Sequence, residues 1–154
     1  MINLLRTNSD NADFRELVRL LDTELQIRDG AEYGFYAQFN RLDAIREVVV
    51  AYENEQAVGC GALKKYKANI AEIKRMFVRP ESRNRGIAGR ILLELETWAK
   101  ELEFSECILE TGLKQPEAVR LYQKSGYKII PNYGQYAGVE NSVCMKKKLD
   151  WKQK

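Results

Sequence analysis

The sequence has no histidine among its 154 residues, and this absence excludes several classes of enzyme. A Ser-His-Asp or Cys-His nucleophile system requires an imidazole, and so does the usual catalytic zinc site with histidine ligands. Any proton transfer must therefore use a carboxylate, a tyrosine, a lysine, a cysteine, a chain terminus or water.

Cysteine and long apolar runs are also scarce. The three cysteines, Cys60, Cys107 and Cys144, are widely spaced and odd in number. They predict neither a disulfide framework nor a metal site, and we expect them to pack as small apolar groups. No apolar run approaches membrane-spanning length, and residues 1–6 lack the layout of a signal peptide. We therefore expect a cytoplasmic protein that does not bind a membrane.

The bulk composition is that of a soluble globular protein, with 45% hydrophobic and 31% charged residues. The net charge of +3 is too small to indicate nucleic acid as a partner. At this length we expect one domain over 1–154, with a frayed tail at 149–154.

One basic turn, from Val78 to Arg90, organises the rest of the chain. It carries four arginines and two glycines, and it lies between a β-like segment and the clearest helix of the sequence. The first amides of a helix lack intrahelical partners and carry partial positive charge, so this end can bind a phosphate. An ordinary basic loop that caps a helix is the alternative, and the residue types alone leave both open.

Hydrophobic periodicity predicts seven strands and four helices. The predicted order is β-α-α-β-β-β-α-β-α-β-β. Because a helix separates strands 70–78 and 107–109, we expect these two to be parallel neighbours. Strands are expected at 2–6, 47–52, 57–63, 70–78, 107–109, 127–130 and 142–149, and helices near 14–25, 32–41, 87–102 and 116–125.

Two motifs carry a family resemblance. Arg83, Gly86 and Ala88 match a Gln/Arg-x-x-Gly-x-Gly/Ala signature, and residues 121–127 read Leu-Tyr-Gln-Lys-Ser-Gly-Tyr. With the order of elements, the sequence resembles the GNAT superfamily of acetyl-CoA-dependent N-acyltransferases over roughly 3–149. The resemblance implies an α/β fold with a central mixed, mostly antiparallel sheet flanked by helices on both faces.

The resemblance also implies a donor site at the basic turn and no metal. The turn would bind the pyrophosphate of acetyl-CoA, and the preceding strand would bind its pantetheine arm through main-chain groups. Gln115 stands where many members carry asparagine, and we leave it out of this set. The predicted cofactor-binding residues are Met76, Phe77, Val78, Arg83, Asn84, Arg85, Gly86, Ile87, Ala88, Gly89 and Arg90.

Two residues are candidates for proton transfer. Tyr122 lies in the Leu-Tyr-x-Lys-x-Gly-Tyr segment, and the resemblance implies that it is the acid that protonates the departing thiolate. Glu72 is a carboxylate in an otherwise apolar strand and is the candidate base. The alternatives are a core tyrosine on an amphipathic helix, and a strand ion pair between Glu72 and Lys74 or Arg75.

Four tyrosines are candidates for the acceptor side. Tyr33 and Tyr36 belong to the second predicted helix, and Tyr133 and Tyr136 to a late loop. Their hydroxyls and rings could hold a polar acceptor or an ammonium. The alternative is a helix packed on the core and a loop that covers the sheet edge.

The predicted function is direct acetyl transfer from acetyl-CoA to a primary amine of a small molecule or protein, through a ternary complex. An acetyl-cysteine intermediate is disfavoured, because no cysteine lies in the central motif. A non-catalytic acyl-CoA-binding sensor is the main alternative. A P-loop nucleotide module is disfavoured, because the turn has no Gly-Lys-Ser/Thr ending. Dimers are common in the family, so the resemblance leaves a homodimer open.

Overall fold

The computed structural model describes residues 1–29, 45–113 and 115–149. Within them a seven-stranded sheet has the order β1-β2-β3-β4-β5-β7-β6. Its strands are β1 Ile2–Thr7, β2 Glu47–Glu53, β3 Gln56–Lys67, β4 Ile70–Val78, β5 Glu106–Gly112, β6 Lys128–Ile130 and β7 Ser142–Lys148. The helices are α1 Ala12–Asp29, α2 Ile87–Glu101 and α3 Pro116–Lys124.

The predicted fold class is confirmed, and the described strands and helices follow one another along the chain in the predicted order. Every strand pair is antiparallel except β4 with β5, which is parallel as expected. Strand β5 is longer than the predicted 107–109, because its buried pattern continues through Thr111 and Gly112. The second predicted helix, near 32–41, and the tail from 150 onward lie outside the described residues.

Apolar side chains cover both faces of the sheet. On one face α2 buries Ile91, Leu95 and Ala99 against β-strand residues such as Leu109. Their spacing of four residues keeps them on one side of the helix. On the other face α1 buries a similar stripe, which consists of Phe14, Leu17, Val18 and Leu21. The sheet is therefore the middle layer of three.

Strands β4 and β5 separate after a short parallel ladder. Pairing ends at Glu72 opposite Ile108. Beyond it β4 contains a bulge, where Arg75 has a φ of +61° and the register with β3 shifts. A bulge bends a strand and increases its twist. The two strands therefore diverge, and the sheet opens between them.

Gly61 on β3 makes room for this bulge. A Cβ atom at Gly61 would lie 2.6 Å from the Met76 sulfur and 2.8 Å from Leu95 Cδ1. The neighbouring Cys60 thiol donates to the Arg75 carbonyl at 3.3 Å. Close packing behind β4 thus stabilises the bent strand.

A buried carboxylate connects α2 to the far half of the sheet. Glu96 on α2 is 4% exposed. It accepts hydrogen bonds from the Tyr127 hydroxyl at 3.0 Å and from the Lys147 ammonium at 2.9 Å. Removal of this carboxylate leaves both donors without their partner.

We expect Glu96→Ala to lower the free energy of unfolding by about 2–3 kcal/mol, because it leaves a partly buried ammonium and a buried hydroxyl without their hydrogen-bond acceptor. Urea denaturation followed by tryptophan fluorescence measures this loss. Glu101→Gln is the matched control, since the exposed Glu101 pairs with Arg6 on the surface of the same helix. Equal losses in the two variants would contradict the structural role of Glu96.

Candidate active site

The basic turn becomes a helix N-terminus with exposed amides. The chain passes through a 3₁₀ turn at Pro80–Ser82 and then through positive φ values at Asn84 and Gly86 before α2 begins. The first hydrogen bond of α2 runs from the Arg90 amide to the Gly86 carbonyl at 3.1 Å. The amides of the three residues between them therefore lack an acceptor within the helix. This is the geometry of an anion site.

Two glycines keep the space in front of these amides open. Gly86 has a φ of +79°, which strains any residue with a Cβ atom. Gly89 has no such φ, yet an added Cβ would meet no atom within 4 Å. A ligand can thus approach the backbone of the first helical turn closely.

A cleft of about 520 Å³ lies above this turn. It is bounded by the turn, the end of β4, α1 and α3. The predicted cofactor residues that line it are Met76, Phe77, Val78, Arg83, Asn84, Gly86, Ile87, Ala88 and Gly89. Arg85 and Arg90 are the two predicted residues that do not line it.

The arginines of the turn mostly stabilise the turn itself. Arg83 donates from Nε to the Val78 carbonyl at 2.8 Å and from Nη2 to Glu24 on α1 at 2.7 Å. Arg79 donates to the Ala57 carbonyl at 2.7 Å. Arg85 forms an ion pair with Glu53 on β2. Only part of the predicted arginine charge is therefore directed at the cleft.

A second, smaller cavity of about 120 Å³ lies where β4 and β5 diverge. The two cavities share a boundary made by Leu21, Met76, Gln115, Ala118 and Tyr122. A molecule in the cleft and a molecule in the small cavity would therefore meet at this boundary. Gln115, which we left out of the cofactor set, lines both cavities.

Tyr122 on α3 lies at this junction and is 7% exposed. Burial raises the pKa of Tyr122 above its ordinary value, and the Glu110 carboxylate raises it further. The hydroxyl therefore stays protonated at physiological pH and is able to donate a proton. The residue is also part of the core, with its ring 6.0 Å from that of Tyr127. The core tyrosine considered in the sequence analysis is therefore present, and the role of Tyr122 as an acid stays a prediction.

Glu72 lines neither cavity. It is 8% exposed, and its Oε2 accepts a hydrogen bond from the Tyr133 hydroxyl at 2.8 Å. Its Oε1 lies 3.9 Å from the Lys74 ammonium, so the strand ion pair considered above is present. Burial raises the pKa of Tyr133, and the Glu72 carboxylate adds to this. The role of Glu72 as a base stays a prediction.

Glu110 is the carboxylate that the sequence analysis missed. It lies on β5 and lines the small cavity together with Lys74 and Tyr122. The predicted strand ended one residue earlier, at Leu109. If the predicted strand had continued to residue 110 in parallel register, Glu110 would have been placed opposite Lys74. The length of β5 was therefore the signal that could have identified Glu110.

The predicted acceptor tyrosines divide into two groups. Tyr133 precedes a 3₁₀ turn at Gly134–Tyr136, and Tyr136 ends it; their rings contact each other, with centroids 5.8 Å apart. They pack over Cys144 on the β5–β7 side of the sheet and line neither cavity. Tyr33 and Tyr36 lie outside the described residues.

Among residues 1–29, 45–113 and 115–149, no three cysteine, aspartate or glutamate side chains are grouped so as to hold a metal ion. No helix in these ranges has the length and apolar character needed to cross a membrane.

Comparison with known proteins agrees with this geometry. Residues 12–127 match the sequence model of the acetyltransferase (GNAT) family. The IAA acetyltransferase of Azospirillum brasilense is 35% identical over 102 residues, which are 66% of this chain and 67% of that protein. The chain therefore belongs to the GNAT family. Its reaction class is acetyl-CoA-dependent N-acetyl transfer.

Solved structures share the fold. A candidate acyl-CoA N-acyltransferase from Klebsiella pneumoniae has a TM-score of 0.82 at 24% identity, over 97% of this chain and 99% of that one. The PaiA N-acetyltransferase of Thermoplasma acidophilum, solved in complex with coenzyme A, has a TM-score of 0.69 at 22% identity, over 96% and 99%. The P-loop alternative is thereby wrong, because the fold is a different one.

Alanine substitutions at the two glycines of the turn are expected to have opposite effects on stability. We expect Gly86→Ala to lower the free energy of unfolding by about 1–2 kcal/mol, because alanine is strained at this positive φ. We expect Gly89→Ala to leave it unchanged or raise it by up to about 0.5 kcal/mol, because alanine is the better helix residue. Urea denaturation of the two variants without ligand measures both. A loss at Gly89 as large as that at Gly86 would contradict the open space described above.

Proposed function

We propose that this chain moves an acetyl group from acetyl-CoA directly to a primary amine while both substrates are bound. The observation that carries the proposal is the junction of the two cavities at Tyr122. One cavity has the size and the anion site for the donor, and the other adjoins it where the acetyl group would lie. Such an arrangement brings the amine to the thioester without a carrier on the protein.

The donor is proposed to bind through main-chain groups at two places. The amides of Ile87, Ala88 and Gly89 would bind the pyrophosphate, with Arg83 at the side of the cleft. Within the described ranges, the pairing of β4 with β5 ends at Glu72, and no other strand pairs with this edge of β4 beyond that point. Its main-chain groups near Met76 to Val78 can therefore pair with the amides of an extended pantetheine arm, as a sheet edge pairs with a peptide. The coenzyme A bound to the T. acidophilum protein supports this choice of donor.

The chemistry requires one proton acceptor and one proton donor. Glu110 is proposed to take a proton from the ammonium of the acceptor, directly or through water. The neutral amine then attacks the thioester carbonyl, and a main-chain amide of β4 stabilises the oxyanion. When the C–S bond breaks, Tyr122 protonates the thiolate of coenzyme A, and the second proton lost by the attacking nitrogen returns through water to the Tyr122 oxygen. Glu72 is proposed to position Tyr133 and Lys74. Its role as the base stays a prediction, which the pH dependence of kcat/KM compares with the role of Glu110.

Direct transfer is supported by the state of the cysteines. All three are buried free thiols, and none lines either cavity. Burial raises the pKa of Cys60 and of Cys107 to about 12, and that of Cys144 to about 11. A protonated thiol is a poor nucleophile, so no acetyl-cysteine is proposed.

Free thiols also support the proposed cytoplasmic location, since reducing compartments retain them. We retain the proposal of a single catalytic domain over 1–154.

Release of the coenzyme A thiol in the presence of acetyl-CoA and a panel of primary amines tests the proposed function. We expect Tyr122→Phe to lower kcat by about 10²-fold, because the leaving thiolate loses its acid. Thermal stabilisation by coenzyme A should be unchanged in this variant. Full turnover by Tyr122→Phe would remove the residue from the mechanism. Coenzyme A binding without thiol release, for every amine, would favour the acyl-CoA sensor.

The pH dependence of kcat/KM distinguishes Glu110 from Glu72 as the base. A base must be ionised to act, so activity is expected to fall as pH decreases. We expect Glu110→Gln to lose about 10²-fold in activity together with this acidic limb. Glu72→Gln is the matched control, since it removes a buried carboxylate from the adjacent strand. If Glu72→Gln abolishes the limb and Glu110→Gln retains it, Glu72 is the base.

A further inference from the structure

The register of β4 and β5 places two opposite charges across the opening of the sheet. The last paired residues are Glu72 and Ile108. Two residues further along each strand are Lys74 and Glu110, which therefore lie on the same face of the sheet. Both line the small cavity, one on each side of the opening.

Lys74 is a buried cation with incomplete compensation. Its side chain is 12% exposed, and its ammonium lies 3.9 Å from Glu72 Oε1. That separation is longer than a hydrogen bond, and the structure shows no shorter ion pair for Lys74 within the described ranges. Glu72 in turn accepts its hydrogen bond from Tyr133. A buried ammonium is costly unless it is paired and hydrogen-bonded, so this position favours a ligand that supplies an anion.

Glu110 provides the complementary charge on the Tyr122 side. Glu110 and Tyr122 line the same small cavity, and the Glu110 carboxylate adds to the rise that burial causes in the pKa of Tyr122. An amine held at Glu110 would therefore lie beside the junction with the donor cleft. An anion held at Lys74 would lie across the opening from this amine.

We propose that the acceptor is a small molecule with a carboxylate close to its primary amine, as in an amino acid, and that Lys74 binds this carboxylate while Glu110 receives the amine. The volume of about 120 Å³ favours a small molecule over a protein segment. This inference rests on the function proposed above and names the substrate class for the same site.

Matched acceptors test the carboxylate requirement. Free L-amino acids are compared with their carboxamides and with the amines that result from their decarboxylation, and thiol release from acetyl-CoA is followed. We expect at least one amino acid to have a KM at least tenfold below those of its two analogues. The inference is overturned if the carboxamides or the decarboxylated amines are equal or better acceptors.

Lys74 is tested with the same compounds. We expect Lys74→Met to raise the KM for the amino acid at least tenfold while the KM for the decarboxylated amine stays the same, and Lys74→Arg to restore part of the loss. Lys65→Met on β3 is the matched control, because Lys65 is exposed. Unchanged stabilisation by coenzyme A shows that each variant is folded and binds the donor. An unchanged KM for the amino acid in Lys74→Met overturns the inference.

Calorimetric titration of the same amino acids into the coenzyme A complex separates this inference from the proposed function. Amino-acid binding that Lys74→Met abolishes, without thiol release, would support the acceptor class and contradict catalysis. Thiol release with carboxylate-free amines alone would support catalysis and overturn the acceptor class. If no amino acid binds, and neither the amino acids nor the carboxylate-free amines cause thiol release, both the inference and the proposed function are overturned.

Discussion

The separation of β4 from β5 after Glu72 is the constraint on which the site depends. A continuous parallel ladder would hydrogen-bond the main chain of both strands and close the sheet. Instead the facing edges diverge, and buried main-chain groups require partners. A substrate with amide groups can supply them. The same divergence creates the small cavity and places Lys74 and Glu110 on its two sides.

Close packing stabilises the divergence of β4 from β5. The bulge at Arg75 bends β4, and Gly61 accepts the Met76 and Leu95 side chains that a Cβ atom would displace. Helix α2 therefore has two roles. Its buried stripe supports the bent strand from behind, and its first turn presents amides to the cleft.

The electrostatics of the cleft differ from what a count of arginines suggests. Arg83 binds Val78 and Glu24, and Arg85 binds Glu53, so their charges are partly neutralised within the protein. The proposed anion site therefore depends more on main-chain amides than on these two arginines. The contact between Arg83 and Glu24 also joins the turn to α1, whose Leu21 lines both cavities.

Local patterns in the sequence determined the seven strands, the three described helices and the turn before α2, because these depend on periodicity and on residues close together in the chain. A motif of seven residues also identified Tyr122 as a candidate, whose catalytic role stays a prediction. The partners of Glu72 and the position of Glu110 were decided by the tertiary structure. Tyr133 is 61 positions from Glu72, and Glu110 meets Lys74 through strand register. Such contacts depend on how distant segments pair, which the residue types of each segment do not specify.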